Sequence, residues 1–167
     1  MSRKQILKSK KNCLIANKNL IKKNLSIQTF GNVSQRIDKN HFIIKPSGIN
    51  LNTVKHRDFN VINITSGKVV DGSLNPSSDT ETHRVLYKQW DNVKGIAHGH
   101  PTYGTSWAQT GKPIPILGTT HADYFDRHVP ITNRMKKKDI KNKYEYNTGL
   151  EILKTFKNQK LKPNRCP

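Results

Sequence analysis

Residues 41–73 constrain the fold most, because they contain three short apolar segments separated by turn residues. Runs of about 4 to 8 residues that are rich in β-branched side chains and bounded by Pro, Gly or Ser are typical of β-strands. Strands that follow one another through short turns pair as antiparallel neighbours. This stretch therefore predicts the central part of an antiparallel sheet. The strands are HFII (41–44), DFNVINI (58–64) and VVDGS (69–73), with KPSG (45–48) and SGK (66–68) as turns.

Helical segments are predicted on both sides of these strands in the sequence. Residues 4–22 carry apolar side chains at helical spacing among lysines, a pattern typical of an amphipathic helix. Asp79 or Thr80 is placed to cap a second helix. Strands and helices mixed in this order predict an α/β layered domain with a largely antiparallel sheet, and the length fits one domain over residues 1–167. Further predicted elements are a loop entering a strand over 25–38, a strand over 93–100, a short helix ending at 111, a basic helix over 137–157 and a loop from 160.

Positive charge is the most unusual feature of the composition. The chain has 30 Lys and Arg against 11 Asp and Glu, a net charge of +19 in 167 residues. Such a charge is compatible with binding to nucleic acid or another anionic surface. The lysines are nevertheless spread along the whole chain, and dense patches occur only in residues 1–23 and 134–143. We therefore assign most of the charge to solvated faces, with nucleic-acid binding as the alternative.

Cysteine usage and hydropathy bear on the compartment. Cys13 and Cys166 stand near opposite ends of the chain, which makes neither a disulfide framework nor a CxxC metal motif. A reducing, cytoplasmic location is the simplest interpretation. No apolar run approaches the ~18 residues of a membrane span, and the basic N-terminus lacks the apolar core of a secretory signal, so no membrane partner is predicted.

Two histidines stand one residue apart in GIAHGH (95–100), at His98 and His100. In a β-strand, residues i and i+2 point to the same face, so both imidazoles would project together as two ligands of one metal ion would. Asp79, at the start of the predicted helix, could add a carboxylate, and three protein ligands are usual for a catalytic zinc. The alternative is a pair of histidines bonded only to backbone carbonyls or solvent.

Three turns contain the small residues that bind anions. Hydroxyls, free backbone N–H groups and a helix N-terminus are the usual means of holding a phosphate. Each turn taken alone is also compatible with an ordinary turn or helix cap. The turns are Gly31-Asn32, Ser47-Gly48 shortly after Lys45, and Ser77-Ser78 before the predicted helix.

One carboxylate stands out as an acid–base candidate. Asp123 lies beside His121 in GTTHADYF (118–125), whose other residues are apolar or neutral. A carboxylate in such surroundings can exchange protons with a substrate. A solvated loop aspartate is the alternative.

The motifs described above match those of one known family, in the same order and with few gaps. The long blocks PSSDTETHRVLY (76–87) and GTTHADYF (118–125) are specific, and chance is a poor explanation for both. With the other blocks they resemble the L-ribulose-5-phosphate 4-epimerase family of the class II aldolase superfamily, over residues 6–160. The other blocks are GNVS (31–34), KPSG (45–48), GIAHGH (95–100), WAQTGKPIPIL (107–117) and YEYNTG (144–149).

The resemblance implies a role for each matched residue. It implies a three-layer α/β/α fold with a mostly antiparallel sheet, and a divalent metal, Zn²⁺ or Mn²⁺, held by Asp79, His98 and His100. Asp123 matches the family's acid–base aspartate. An aldolase of the superfamily would typically have Glu at position 79, so Asp79 favours an epimerase. The expected substrate-binding residues are Gly31, Asn32, Lys45, Ser47, Gly48, Ser77 and Ser78.

The resemblance also implies a reaction and an assembly. The reaction interconverts L-ribulose 5-phosphate and D-xylulose 5-phosphate by breaking and remaking the C3–C4 bond, in a homo-oligomer, a tetramer in the family, whose subunits share active sites. The family's third histidine ligand, a catalytic tyrosine and the last strands match nothing in this chain, so we expect a sheet that is incomplete at its C-terminus. The alternatives are an aldolase acting on a related sugar phosphate, and a non-catalytic chain with a basic, nucleic-acid-binding surface.

Overall fold

The computed structural model of the protein describes residues 2–163, which form one sheet with helices on both faces. No helix in this range combines the length and apolar character needed to cross a lipid bilayer. The strands are β1 (Asn32–Arg36), β2 (His41–Ile44), β3 (Asn60–Asn63), β4 (Val69–Asp71) and β5 (Gly95–His98). The helices are α1 (Arg3–Lys22), α2 (Thr80–Gln89), α3 (Thr102–Gln109), α4 (Thr119–Tyr124), α5 (Lys137–Lys141) and α6 (Tyr144–Asn158), with a 3-10 helix at His56–Asp58.

The sheet is antiparallel throughout, in the order β4-β3-β2-β1-β5. Strands β2, β3 and β4 are neighbours in sequence and in space, which confirms the prediction from residues 41–73. Strand β5 returns from much later in the chain to pair with β1, and Asn32 lies directly opposite His98. This register brings the Gly-Asn turn and the paired histidines to the same end of the sheet.

Alternate side chains of the central strands enter two separate apolar cores. Ile43 and Val61 pack against Cys13 and Leu20 of α1. On the opposite face Tyr87 of α2 covers the second core, and α6 packs on α2. Full burial of one such side chain contributes about 1.5–3 kcal/mol, so both faces of the sheet require their helices. The predicted three-layer α/β/α architecture is confirmed. The strand residues of the second core are Phe42, Ile44, Ile62 and Ile64.

Three predicted strands are too long, including VVDGS (69–73), which forms a strand only over Val69–Asp71. The segment 93–100 forms a strand only over Gly95–His98, because the chain then turns toward the loop after α1. There the His100 N–H donates to the Leu25 carbonyl at 2.7 Å, and a Cβ on Gly99 would lie 2.8 Å from the same oxygen. His100 therefore follows the strand instead of belonging to it. Likewise, the predicted strand 58–64 begins only after the 3-10 helix.

The predicted basic helix over 137–157 is wrong in one respect, because the structure divides it into α5 and α6. Lys143, between the two helices, has a φ of 55°, and a left-handed residue cannot continue a right-handed helix. Asn147 then joins the two pieces, since its Nδ2 donates to the carbonyls of Asp139 (2.9 Å) and Asn142 (2.6 Å). Hydrophobic periodicity runs through this break and does not reveal it.

The remaining predictions concern the cysteines and the end of the chain. Cys13 is a buried free thiol whose pKa burial raises to about 12. Residues 160–163 lie outside the helices, in agreement with the predicted loop. The rest of that loop, including Cys166, lies outside the described residues.

Candidate metal and phosphate site

One cavity of about 310 Å³ lies where β1, β5 and the start of α2 meet. Its volume falls within the usual range of small-molecule clefts. Every residue that the sequence assigned to substrate or metal binding lines this one cavity. The lining residues are Gly31, Asn32, Lys45, Ser47, Gly48, Ser77, Ser78, Asp79, His98 and His100, together with Thr29 and Phe30, which the sequence analysis missed.

Two of the predicted anion-binding turns form one continuous wall of the cavity. The turn after β2 and the segment before α2 are joined by a β-bridge between Pro46 and Pro76. Ser47 N–H donates to the Asn75 carbonyl at 2.9 Å, and Ser77 N–H donates to the Lys45 carbonyl at 3.0 Å. These bonds place two serines and a glycine beside the N-terminus of a ten-residue helix, where an anion is stabilised by the helix dipole.

The third turn depends on glycine. Gly31 has a φ of 70°, a conformation that costs most other residues energy. A Cβ at this position would also lie 2.1 Å from Ser26 Oγ and 2.6 Å from the His98 carbonyl oxygen. Glycine therefore allows β1 to begin directly beside β5, which positions Asn32 in the cavity.

Asp79 connects the turns to the histidines. It occupies the N-cap position of α2, yet its side chain makes no capping hydrogen bond. Its Oδ2 instead accepts hydrogen bonds from Asn32 Nδ2 at 2.5 Å and from His98 Nδ1 at 2.7 Å. Asn32 Nδ2 also lies 3.3 Å from Ser77 Oγ. The carboxylate is thus withdrawn from the helix and fixed inside the cavity.

The charge state of this cluster follows from these bonds. Burial alone would raise the pKa of Asp79, but the hydrogen bonds from His98 and Asn32 and the charge on His98 lower it overall. The bond to Asp79 in turn raises the pKa of His98, against the effect of burial. A carboxylate that accepts from Nδ1 fixes the imidazole's orientation and leaves Nε2 as the outward nitrogen.

His100 completes the imidazole pair. Its ring centroid lies 4.7 Å from that of His98 and 5.7 Å from that of Phe30. Partial burial, and then the charge on His98, lower the pKa of His100, which favours the neutral imidazole that binds metals.

The fit of this cluster to a metal can be judged from its donors. Two adjacent imidazoles, one of them held by a carboxylate, form a donor set that zinc sites use. Within residues 2–163, no group of three or more His, Cys, Asp and Glu side chains has the arrangement of a complete metal centre. In this structure Asp79 is the hydrogen-bond partner of His98, and its role as a direct ligand stays a prediction.

Lys45 supplies a cation to the same cavity. Its side chain is 2% exposed, and its Nζ donates to the carbonyls of Pro46 at 3.2 Å and Ile49 at 3.5 Å. Burial lowers its pKa, and the nearby charge of Asp79 partly opposes this effect. Because carbonyl oxygens rather than a carboxylate surround the ammonium, its charge remains available to an anion in the cavity.

Asp123 is the one predicted site residue that does not line the cavity. It lies on the exposed helix α4. The structure therefore brings together the predicted phosphate and metal residues within one chain and leaves the predicted acid–base residue apart. Phe30 was missed because a single aromatic beside a turn carries no recognisable signal in the sequence.

The fold and the site together define a class. Residues 12–162 match the model of the family described as Class II Aldolase and Adducin N-terminal domain, and the chain belongs to this family. Over 167 residues, 99% of this chain and 69% of the relative, it is 41% identical to a protein of Mycoplasma pneumoniae named probable L-ribulose-5-phosphate 4-epimerase UlaF. The resemblance found in the sequence is thereby confirmed.

Solved structures confirm the fold. An L-fuculose 1-phosphate aldolase superposes with a TM-score of 0.71 at 23% identity, covering 92% of this chain and 86% of the aldolase. The L-fuculose-1-phosphate aldolase of Thermus thermophilus gives a TM-score of 0.71 at 18% identity, covering 90% of this chain and 72% of that one. The predicted class II aldolase-like architecture is therefore correct.

Proposed function

We propose that the protein is a metal-dependent sugar-phosphate epimerase that interconverts L-ribulose 5-phosphate and D-xylulose 5-phosphate. The observation that carries the proposal is the single cavity that contains anion-binding turns, a buried lysine and a carboxylate-anchored pair of imidazoles. The 41% identity to a probable epimerase supports the choice of substrate.

The substrate's phosphate would bind at the wall formed by Ser47, Gly48, Ser77 and Ser78. This wall combines hydroxyls with the positive end of the α2 dipole, and Lys45 adds a full positive charge. Anchoring the phosphate fixes one end of a five-carbon chain, so the ketone end is directed toward the histidines. Such positioning lowers the entropic part of the barrier.

His98 and His100 would hold the divalent cation, Zn²⁺ or Mn²⁺, with Asp79 either beside it or as a further ligand. When bound, the cation supplies a Lewis acid that stabilises negative charge on the ketone and C3 oxygens. The hydrogen bond from His98 Nδ1 to Asp79 keeps the ring oriented before the cation arrives, so little ordering is needed on binding.

The chemistry at C4 requires bond cleavage, because this carbon carries no acidic proton. A base removes the C4 hydroxyl proton, the electrons of the C3–C4 bond move into the ketone fragment, and an aldehyde is released within the site. The aldehyde then rotates, the ketone fragment re-forms the C3–C4 bond on the other face of the aldehyde, and the resulting C4 alkoxide takes up a proton. Proton transfer on two faces requires two groups, and we propose Asp123 for one of them.

The position of Asp123 bears on the assembly. Because this carboxylate is exposed and does not line the cavity of its own chain, we propose that it enters the cavity of a neighbouring copy in a homo-oligomer. We also propose that residues 1–167 act as one domain. A cytoplasmic location belongs to the same proposal, and the buried free thiol of Cys13 is as expected there.

The proposal is tested by metal content and product analysis on the same protein. After loading with Zn²⁺ and removal of excess metal, we expect about one zinc ion per chain, measured by elemental mass spectrometry. Incubation with L-ribulose 5-phosphate should give D-xylulose 5-phosphate by NMR. The double variant His98→Ala/His100→Ala should lose the bound metal and the conversion. The matched control His56→Ala/His128→Ala removes two imidazoles outside the cavity and should retain the bound metal and the conversion.

Each other outcome has a definite meaning. Glycolaldehyde phosphate accumulating without the epimer would identify an aldolase. Retention of the metal by the His98→Ala/His100→Ala variant would contradict the assignment of the metal residues. Absence of any conversion by the metal-loaded oligomer would contradict the epimerase proposal.

A further inference from the structure

A second concave surface, which shares no residue with the cavity described above, lies along the end of α6. Its volume is about 770 Å³. Its floor contains two half-buried aromatic rings, Trp90 and Phe156, whose centroids are 4.7 Å apart. Leu153 and Leu161 line it beside the rings. We call this surface the aromatic pocket. Its floor can accept a flat apolar group.

Lysines surround the aromatic pocket. Lys154, Lys157, Lys160 and Lys162 all line it and are all exposed. The described residues that line this pocket include no Asp or Glu. A ligand that fills it therefore meets an apolar floor and a positive rim, in which only Lys154 faces a carboxylate, that of Glu151 at 3.6 Å, among the described residues.

A groove of about 410 Å³ joins the aromatic pocket at Lys154, which lines both. Arg134, Lys136 and Lys138 also line the groove. Its lining also includes Asp139 and Glu151. The carboxylate of Glu151 is engaged, since its Oε2 lies 3.6 Å from Lys154 Nζ and its Oε1 accepts from Asn133 Nδ2 at 3.1 Å. The groove and the pocket together form one basic track along α5 and α6.

The shape and charge of the basic track restrict the ligand. Its lining residues on α6 run from Asn147 to Asn158, a span of roughly 17 Å at the helical rise per residue, so it suits a chain of repeated negative charges rather than one small anion. The aromatic floor adds a preference for planar groups along that chain. Single-stranded nucleic acid has both properties, because its phosphates follow basic grooves and its unpaired bases stack on aromatic side chains. A duplex hides the faces of its bases, and an acidic peptide has a planar group only where it carries an aromatic side chain.

We propose that the basic track from Arg134 to Lys162 binds single-stranded nucleic acid, with a base stacked on Trp90. The spread of lysines along the sequence predicts that most of the positive charge lies on solvated faces. The structure instead gathers basic residues from two separate stretches, 134–138 and 154–162, on one side of α5 and α6. This surface is independent of the proposed epimerase site, so either proposal can fail without the other.

The first test measures the contribution of the lysines. The probe is a fluorescein-labelled ten-nucleotide oligouridine, titrated with the full chain at 0.1 M salt and followed by anisotropy. Each lost phosphate contact weakens binding to a single strand by about fivefold at this salt concentration. Lys157→Gln/Lys160→Gln/Lys162→Gln should therefore weaken binding by about 100-fold.

The matched control removes the same charge from α1, with the triple variant Lys8→Gln/Lys11→Gln/Lys18→Gln. These lysines are also exposed, but α1 covers the other face of the sheet. We expect the control to bind the oligonucleotide within about threefold of the parent chain. Equal losses in both triple variants would overturn the proposal, because they would show binding to net charge alone.

The second test concerns the stacked base. In a Trp107→Phe background, the fluorescence of Trp90 should be quenched by the oligonucleotide and not by heparin, a polyanion without bases. Trp90→Leu preserves an apolar side chain against Phe156 and should weaken oligonucleotide binding by about fivefold or more, with heparin binding unchanged. Binding to heparin or to anionic vesicles with equal affinity and no response from Trp90 would overturn the proposal.

Discussion

The Asp79 side chain does not cap helix α2, although its N-cap position favours that role. An aspartate at a helix N-cap usually accepts from the first backbone N–H groups, a contribution of about 1 kcal/mol. Here its Oδ2 accepts from Asn32 and His98, and α2 begins without a side-chain cap. A stabilising contact of the helix is thus exchanged for the orientation of one imidazole. This exchange is expected where a residue serves a site.

The first prediction follows from that exchange. Asp79→Asn removes the charge that holds His98, so the pKa of His98 should fall, and metal affinity should drop by about 10- to 100-fold. NMR titration of the imidazole signals checks the pKa. The matched control is Asp38→Asn, which alters another Asp–His contact, to His41 Nδ1 at 3.0 Å. If His98 titrates identically in the parent chain and in Asp79→Asn, the bond does not act as described.

The second prediction concerns His83, which is 1% exposed. Its Nδ1 lies 2.7 Å from Ser34 Oγ, and burial lowers its pKa to about 4, against about 6.5 in the unfolded chain. As the pH falls below 6.5, His83 binds a proton in the unfolded state, whereas in the folded state it stays neutral down to about pH 4. The free energy of unfolding should therefore decrease over this range by up to about 3 kcal/mol.

Urea unfolding at pH 7 and pH 4.5 checks this contribution. His83→Gln retains a polar side chain beside Ser34 but cannot titrate, so the loss of stability between the two pH values should be smaller than in the parent chain. Titrating groups distant from His83 are common to both proteins and cancel in the comparison, whereas Asp79 and His98, whose charges act on His83, contribute a smaller difference. An equal loss in both proteins would exclude His83 as the source.

At the scale of elements, the contact between α2 and α6 depends on Gly149. A Cβ there would lie 2.9 Å from Val85 Cβ and 3.1 Å from the Thr82 carbonyl oxygen. In an isolated helix Ala is favoured over Gly by about 1 kcal/mol. Forcing a methyl group into a packed interface costs about 1–3 kcal/mol. Overpacking should dominate, because one of the atoms that must move belongs to the backbone.

The third prediction is therefore that Gly149→Ala lowers the free energy of unfolding by about 1 kcal/mol, despite its better helix propensity. Chemical denaturation followed by circular dichroism measures the change. Lys157→Ala, at an exposed position of the same helix, should change stability by less than about 0.5 kcal/mol. A Gly149→Ala variant as stable as the parent chain would show that the two helices can separate without cost.

The elements also show which features a sequence can predict. Strands β2 to β4 were predictable because turn residues and alternation act locally, and the cavity residues because their motifs recur in a family. The bond between Asp79 and His98 was not predictable, because it depends on the register of β5 against β1, two strands about 60 residues apart in the chain. The break at Lys143 was missed because one left-handed residue leaves the apolar period unchanged.

At the scale of the whole molecule, the segment containing α3 and α4 is largely exposed. Neither helix has a buried residue, and Tyr103 and Tyr124 are 90% and 77% exposed. Clustered apolar side chains on a surface mark interaction sites. Asp123 lies in the same segment. The proposed homo-oligomer would cover this surface and bring the carboxylate into a cavity at the same time.

The fourth prediction tests that arrangement by mixing subunits. His98→Ala and Asp123→Asn should each be inactive alone as epimerases. If a site combines the histidines of one chain with Asp123 of its neighbour, co-expressed subunits in equal amounts form intact sites with a probability of about one quarter, as random assembly of a symmetric oligomer requires. The mixture should regain about a quarter of the parent activity, measured by NMR as formation of D-xylulose 5-phosphate.

The control mixture combines His98→Ala with His100→Ala. Both histidines line the same cavity of one chain, so no mixed oligomer contains an intact pair, and no activity should return. Native mass spectrometry confirms that mixed oligomers have formed in both experiments. An inactive His98→Ala/Asp123→Asn mixture with mixed oligomers present would show that Asp123 acts within its own chain or not at all, since random exchange cannot then supply an intact site.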